Sequence, residues 1–100
     1  MNTNIKHTLY HVTTLNKYRK YRATGYIKKP VRGFTTELAA MAWAMKTSRT
    51  MIVEIDCYNT HKLPDHHNKF GDAFWNDDNV LDFKVLYSTH YHQQGTKDEQ

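Results

Sequence analysis

The sequence has little of what marks secreted or membrane-spanning proteins. It contains one cysteine, Cys57, and only two prolines and four glycines among its 100 residues. A single cysteine excludes an internal disulfide framework and is typical of a reducing compartment. Apolar runs are interrupted within a few residues, so none approaches the roughly 20 residues that a membrane-spanning helix needs. Residues 1–6 are polar and offer no apolar signal region. We therefore predict a cytoplasmic protein without membrane contact, in which Cys57 is a small core residue rather than a nucleophile.

The composition otherwise indicates one folded domain. Hydrophobic residues make up 39% of the chain and aromatic residues 13%, which is too rich for a disordered chain. A chain of this length can bury a single core but cannot carry a second one. No internal repeat is present. We predict a single domain over residues 1–90, followed by a flexible tail over residues 91–100 that lacks apolar periodicity.

Charge is distributed unevenly along the chain. Residues 1–50 have a net charge of +9, with Glu37 as their one acid, and residues 51–100 have a net charge of −5. A basic half attracts phosphates, nucleic acid or acidic proteins, and tyrosines between cations can stack on bases. The alternative is a solvated helix face with its tyrosines turned inward. The residues predicted to meet a nucleic acid or a host protein are Lys17, Arg19, Lys20, Arg22, Lys28 and Lys29.

Periodicity and capping residues predict the first elements. Residues 8–13 form a strand, and a helix follows over Leu15–Thr24, capped by Thr14 and ended by Gly25. Residues 31–35 form a second strand. Thr36 then caps a helix over Glu37–Thr47. Its apolar residues repeat at helical spacing and are expected to face the core: Leu38, Met41, Ala42 and Met45.

The residue pattern in the second half of the sequence predicts two strands separated by a long connection. Residues 51–57 alternate as a strand, and a last strand over residues 80–88 is expected to turn Leu81, Phe83 and Val85 inward. We predict a loop over residues 58–79, and a loop of this length in a compact domain usually has a function.

That connection contains a cluster of histidines and an aspartate. His61, Asp65, His66 and His67 are suitable zinc ligands by type, but adjacent histidines point in different directions and no recognised metal-ligand spacing is present. We therefore predict no metal site, with Asp65 satisfying backbone amides in a turn. One of these histidines remains a candidate to line a cleft.

Polar side chains lie at the ends of the first two predicted strands. His11 and Thr13 end the first strand, and Thr35 and Thr36 end the second. Side by side, they would form a small polar cleft suited to a nucleotide-like ligand. Each residue alone also has a structural reading, as a hydrogen-bonded histidine, a strand former or a helix cap.

The order of these motifs resembles a small ADP-ribosyltransferase-like domain, nearest to the DarT-type toxins and their small relatives. The resemblance implies an α+β fold with a split mixed or antiparallel sheet and two helices. It implies that His11 and Thr13, in Tyr-His-Val-Thr, hold the ribose and nicotinamide amide of NAD. Its second motif falls on Phe34, Thr35 and Thr36 as cofactor-binding residues, and Arg32 is placed on the NAD phosphates or in catalysis.

The sequence departs from that family at the third motif. Active transferases use a glutamate there to stabilise an oxocarbenium-like transition state, whereas the equivalent stretch here offers Asp77 and Asp78, each one methylene shorter. Two functions follow from the resemblance and the charge. One is binding of NAD or a related nucleotide, with transfer of ADP-ribose to a nucleic acid or protein by Asp78, Asp77 and Arg32. The other is a non-catalytic phage or mobile-element accessory protein whose basic half binds and inhibits a host protein or binds nucleic acid.

Overall fold

The computed structural model describes residues 5–88, which form an α+β domain with two helices and a six-stranded sheet. The predicted α+β class is therefore confirmed. In chain order the elements are β1 His7–Thr13, α1 Leu15–Thr24, β2 Val31–Phe34, α2 Glu37–Thr47, β3 Met51–Cys57, β4 Thr60–Asn68, β5 Gly71–Asn76 and β6 Phe83–Ser88.

The strands lie in the order β4-β5-β2-β1-β3-β6, and each neighbouring pair is antiparallel. Of the two sheet types expected from the sequence, the antiparallel one is confirmed and the mixed one is not found in residues 5–88. The longest continuous register joins β1 to β3, from His7 opposite Cys57 to Thr13 opposite Met51.

The sheet has two halves, β1-β3-β6 and β2-β5-β4, that meet at one registered pair, Tyr10 opposite Phe34. Gly33 permits this close approach, because a Cβ at that position would lie 2.8 Å from the Leu9 Cβ and 3.2 Å from the Tyr10 carbonyl oxygen. It is the only registered pair of β1 and β2 in residues 5–88, and the end of β1 and the start of β2 line a common open space, from which we infer that the strands separate there.

Both helices have the predicted bounds, and the predicted capping residues lie at both ends of α1 and at the start of α2. Thr14 accepts a hydrogen bond from the Lys17 amide at the start of α1, and Gly25 ends the helix with a φ of 89°. Thr36 accepts from the Ala39 amide at the start of α2. A threonine hydroxyl satisfies one of the free amides of the first turn, which is why these residues fix the helix boundaries.

The core consists of two clusters. One contains Leu9 with residues of β3, the start of β2 and the Ile27–Val80 bridge, and Tyr18 and Tyr21 of α1 pack against it. The other lies under α2, where Ala39 and Ala40 pack with Phe34, Ile52 and Ala73.

The prediction for the buried face of α2 is correct for Met41, which packs against the core, and wrong for Leu38 and Met45. Leu38 is 53% exposed and Met45 is 81% exposed, whereas the residues of α2 that are buried are Ala39, Ala40 and Ala44. Alanines allow the helix to lie close to the sheet, so packing distance selects small residues for full burial, while Met41 and Trp43 are only partly buried.

The prediction of a loop over residues 58–79 is also wrong. The segment contains a β-hairpin, in which β4 pairs with β5 from Thr60–Asn76 to Asn68–Gly71 with a register irregularity between. β4 is an edge strand, so Pro64 and mostly exposed polar residues are tolerated there and no alternation marks it in the sequence.

The last strand is shorter than predicted. It begins at Phe83, while Val80 forms an isolated bridge with Ile27 and Leu81 is 71% exposed. The inward orientation expected for Leu81 is therefore wrong.

No helix among residues 5–88 is long and apolar enough to cross a membrane. The predicted flexible tail over residues 91–100 lies outside the described residues.

Candidate functional site

A cavity of about 790 Å³ lies where β1 and β2 separate. The end of β1, helix α1, the start of β2, the end of α2 and the middle of β4 all contribute to its wall. This volume is within the range of roughly 300–1,000 Å³ typical of small-molecule sites. The side chains central to the site are His11, Thr13, Lys17, Tyr21, Lys28, Arg32, Phe34, Trp43, Lys46, Arg49, Leu63, Asp65, His66 and His67.

His11 joins the two halves of the sheet beside this cavity. Its Nδ1 lies 2.7 Å from the Arg32 carbonyl oxygen, and its Nε2 lies 3.0 Å from the Tyr21 hydroxyl. A carbonyl oxygen only accepts, so Nδ1 must bear the proton. The imidazole ring therefore supplies the Arg32 carbonyl with a partner at the point where β1 and β2 diverge.

His11 is neutral at physiological pH. Burial lowers its pKa from 6.5 to about 4, the hydrogen bond to Arg32 opposes that shift, and Lys17 and Arg49 add to it by repulsion. With Nδ1 donating, the neutral ring accepts at Nε2, so the Tyr21 hydroxyl donates to it. The Tyr21 oxygen then accepts from the Thr13 hydroxyl, 3.2 Å away. Thr13, Tyr21 and His11 thus form a directed chain of hydrogen bonds along the cavity wall.

The cavity is strongly cationic. Asp65 is the single acidic residue among the described residues that line it, and none of the five cations around it has a salt bridge among residues 5–88. Charges of one sign around a concave, low-dielectric wall focus the potential and attract a counter-charged ligand. The five cations are Lys17, Lys28, Arg32, Lys46 and Arg49.

Aromatic rings provide part of the apolar wall, together with aliphatic side chains such as Val12, Ile27 and Leu63. The Phe34 and Trp43 rings lie 6.1 Å apart between centroids and are tilted by 49°, and the Lys46 ammonium lies 5.8 Å above the Trp43 ring. A partly exposed indole between a cation and a cavity offers a face on which a planar ring can stack.

Six of the predicted site or partner residues lie together in this wall: His11, Thr13, Lys17, Lys28, Arg32 and Phe34. Thr35 and Thr36 do not line it, and their hydroxyls are hydrogen-bonded to backbone groups of the fold. Thr35 accepts from the Asp72 amide, and Thr36 caps α2 while donating to the Phe70 carbonyl oxygen. These hydrogen bonds therefore support the structural interpretation of both threonines.

Asp77 and Asp78, predicted as catalytic acids, are exposed after β5 and do not line the cavity. The Asp77 amide donates to the Asn59 carbonyl oxygen, and the Asp78 carbonyl oxygen accepts from the Asn76 side chain. These contacts organise the turn. Among the predicted partner residues, Arg19, Lys20, Arg22 and Lys29 are also exposed outside the cavity wall.

No site role is predicted from the sequence for Trp43, Lys46 and Arg49, which lie in the last turns of α2 and just beyond it. The sequence feature that could have indicated the two basic residues is the excess of cations in residues 1–50. For Trp43 it is the position of the tryptophan outside the main apolar stripe of the helix. The expectation that a histidine of the 58–79 segment lines the cleft is met by His66 and His67.

No group of three or more histidine, cysteine, aspartate or glutamate side chains is placed to hold a metal ion in the part of the chain that the structure describes. Cys57 is buried, and burial together with the neighbouring Asp56 raises its pKa to about 12. The thiol therefore stays protonated at physiological pH, which agrees with the prediction that it is a core residue.

Comparison with known proteins identifies no relative: no protein-family model, no curated protein and no solved structure matches the chain.

Proposed function

We propose that this cavity binds NAD or a related nucleotide. The observation behind the proposal is that, among the described residues, five cationic side chains, one acid and a partly exposed indole surround one space of about 790 Å³. Phosphates require the cations, and a planar base requires the aromatic face. The resemblance to ADP-ribosyltransferase-like domains favours NAD among nucleotides.

The wall suggests a role for each side chain. Arg32 offers a planar guanidinium fork for phosphate oxygens, which a lysine cannot match in geometry. The partly exposed Trp43 ring would stack on a base, and the buried Phe34 ring packs beside it. The Thr13 and Tyr21 hydroxyls are suited to a ribose, because a bound hydroxyl can exchange hydrogen bonds with them while His11 remains an acceptor.

We assign binding to this cavity and no transfer step. Transfer of ADP-ribose needs an acidic group beside the ribose, and the two aspartates predicted for that role, Asp77 and Asp78, lie off the cavity wall. Among the described residues, Asp65 is the acid that lines the wall.

Calorimetric titration with NAD, ADP-ribose and adenosine tests the proposal. We expect NAD and ADP-ribose to bind and adenosine to bind far more weakly, because it has no phosphate. Arg49→Gln, which removes a cation from the wall, should weaken ADP-ribose binding about tenfold, since a hydrogen bond to a charged group contributes on the order of 1.5–3 kcal/mol.

The matched control is Arg19→Gln, which removes the same charge from an exposed position outside the wall. It should leave ADP-ribose affinity within about twofold, as expected for a screened surface charge. Equal losses in both variants would show that binding follows net charge, and absence of binding to the wild type would refute the proposal.

A second candidate function rests on the outer surface of α1. This helix buries no residue completely and presents Arg19, Lys20 and Arg22 outside the cavity. We propose as the alternative that this face binds a nucleic acid or an acidic host protein. A single-stranded oligonucleotide should then lose affinity as salt rises, and Arg19→Gln with Lys20→Gln should weaken it while Arg49→Gln does not. Unchanged affinity in the double variant would remove this alternative.

A further inference from the structure

An aromatic and cationic row crosses the outer half of the sheet next to the cavity. His61 of β4 and Arg32 of β2 are each directly opposite Trp75 of β5, so the three side chains share one face of the sheet. The His61 and Trp75 rings lie 4.7 Å apart between centroids and are tilted by 32°. This near-stacked pair holds the indole in a defined orientation.

The row lies beyond the cover of α2. That helix packs over Phe34 and Ala73, two residues further along β2 and β5 respectively. His61 and Arg32 are exposed and Trp75 is half-buried. Part of the indole is therefore accessible, in contrast to the Phe34 ring, which is 9% exposed.

Arg32 belongs to both surfaces, because it lines the cavity and is the strand neighbour of Trp75. Its guanidinium has no salt bridge among residues 5–88. Phe34 follows on the same face about 7 Å along the strand, and the centroid of its ring lies 6.1 Å from that of the Trp43 ring. Arg32 is thus the strand neighbour of Trp75 and lies two positions from Phe34, whose ring contacts Trp43, and both tryptophans are partly exposed.

We propose that Trp75 and His61 form a second ring-binding subsite, and that the ligand is a dinucleotide with two aromatic ring systems joined through phosphates. One ring stacks at Trp43, the phosphates meet Arg32, and the second ring stacks on Trp75. This inference rests on the proposed nucleotide binding and specifies its ligand class.

The two tryptophans of the chain give a separate signal for each subsite. Trp43→Phe leaves Trp75 as the single tryptophan, and Trp75→Phe leaves Trp43. We expect NAD and diadenosine diphosphate to change the emission of both single-tryptophan variants. ADP, with one ring, should change the emission of Trp43 and leave that of Trp75 unchanged.

Affinity gives an independent measurement. Trp75→Ala should weaken NAD binding about tenfold, as loss of one stacking contact requires, and leave ADP affinity within about twofold. Trp75→Phe should retain most NAD affinity, which separates loss of stacking from loss of folding. Tyr58→Ala, at another exposed aromatic position, is the control and should alter neither affinity.

The outcomes separate the two proposals. If ADP and NAD bind equally and Trp75→Ala changes neither, the second subsite is refuted and nucleotide binding stands. If Trp75→Ala weakens ADP and NAD to the same extent, the residue supports the cavity generally and the dinucleotide inference is again refuted. If no nucleotide binds to the wild type, both proposals are refuted.

Discussion

His11 has a structural role and a site role in the same ring. Its Nδ1 supplies the Arg32 carbonyl with a partner across the gap between β1 and β2, while its Nε2 accepts from Tyr21 beside the cavity. The sequence predicted a histidine at a strand end, but it could not show that the gap exists, because the gap depends on a strand pairing formed by residues more than twenty positions apart.

The depressed pKa of His11 predicts that the protein loses stability on acidification. The unfolded chain takes up this proton near pH 6.5 and the folded chain only near pH 4, so the free energy of unfolding falls as pH decreases through that window. The loss attributable to His11 is at most about 3 kcal/mol. Urea unfolding at several pH values, on the wild type and on His11→Gln, measures it. A variant that shows the same decline as the wild type would contradict the assignment.

Gly33 is predicted to be intolerant of any side chain. A Cβ there would lie 2.8 Å from the Leu9 Cβ and 3.2 Å from the Tyr10 carbonyl oxygen, so the two halves of the sheet must move apart. We expect Gly33→Ala to lower the free energy of unfolding by about 1–3 kcal/mol, as overpacking of a core does. An unchanged urea midpoint for Gly33→Ala would show that the two halves of the sheet lie farther apart at Gly33 than these distances indicate.

At the scale of elements, the helices were predictable and the edge strand was not. Thr14, Gly25 and Thr36 specify helix boundaries through local hydrogen bonds and backbone conformation, which a sequence displays directly. β4 exists because β5 provides its partner, and its own residues have little strand preference. The buried face of α2 was misjudged for a related reason, since periodicity cannot tell how close a helix lies to its sheet.

The cap of α2 gives a prediction with a conservative control. Thr36 accepts from the Ala39 amide at 3.0 Å and donates to the Phe70 carbonyl oxygen at 2.8 Å. Thr36→Ala should cost about 1–2 kcal/mol of stability because both bonds are lost. Thr36→Ser keeps the hydroxyl and should restore most of it in the same thermal or urea measurement. Equal losses in the two variants would point to the methyl group instead.

The corrected face of α2 is testable by a pair of substitutions. Met45 is 81% exposed and Ala39 is fully buried. We expect Met45→Gln to change the free energy of unfolding by less than about 0.5 kcal/mol, and Ala39→Val to lower it by about 1–3 kcal/mol through overpacking. If Met45→Gln lowered the free energy of unfolding more than Ala39→Val, the face predicted from helical periodicity would be the buried one.

At the scale of the whole molecule, the uneven charge of the sequence becomes a local feature. Five cations of the basic first half converge on the cavity, although they come from α1, the segment before β2, β2 itself and the end of α2. The sequence predicted the excess of charge and the His11, Thr13 and Arg32 part of the site. It could not predict that Trp43, Arg49 and the β4 residues close the same space, because only the fold brings these elements together.

The central claim, that the gap between β1 and β2 is a nucleotide site, is tested most directly by mapping NAD onto the backbone amides by nuclear magnetic resonance. We predict that the amide signals of Arg32, Gly33 and Arg49 shift progressively as NAD is added, while those of Glu54 and Asp82, on an acidic surface elsewhere, stay fixed. Shifts confined to the outer face of α1, or no shifts at millimolar NAD, would contradict the claim.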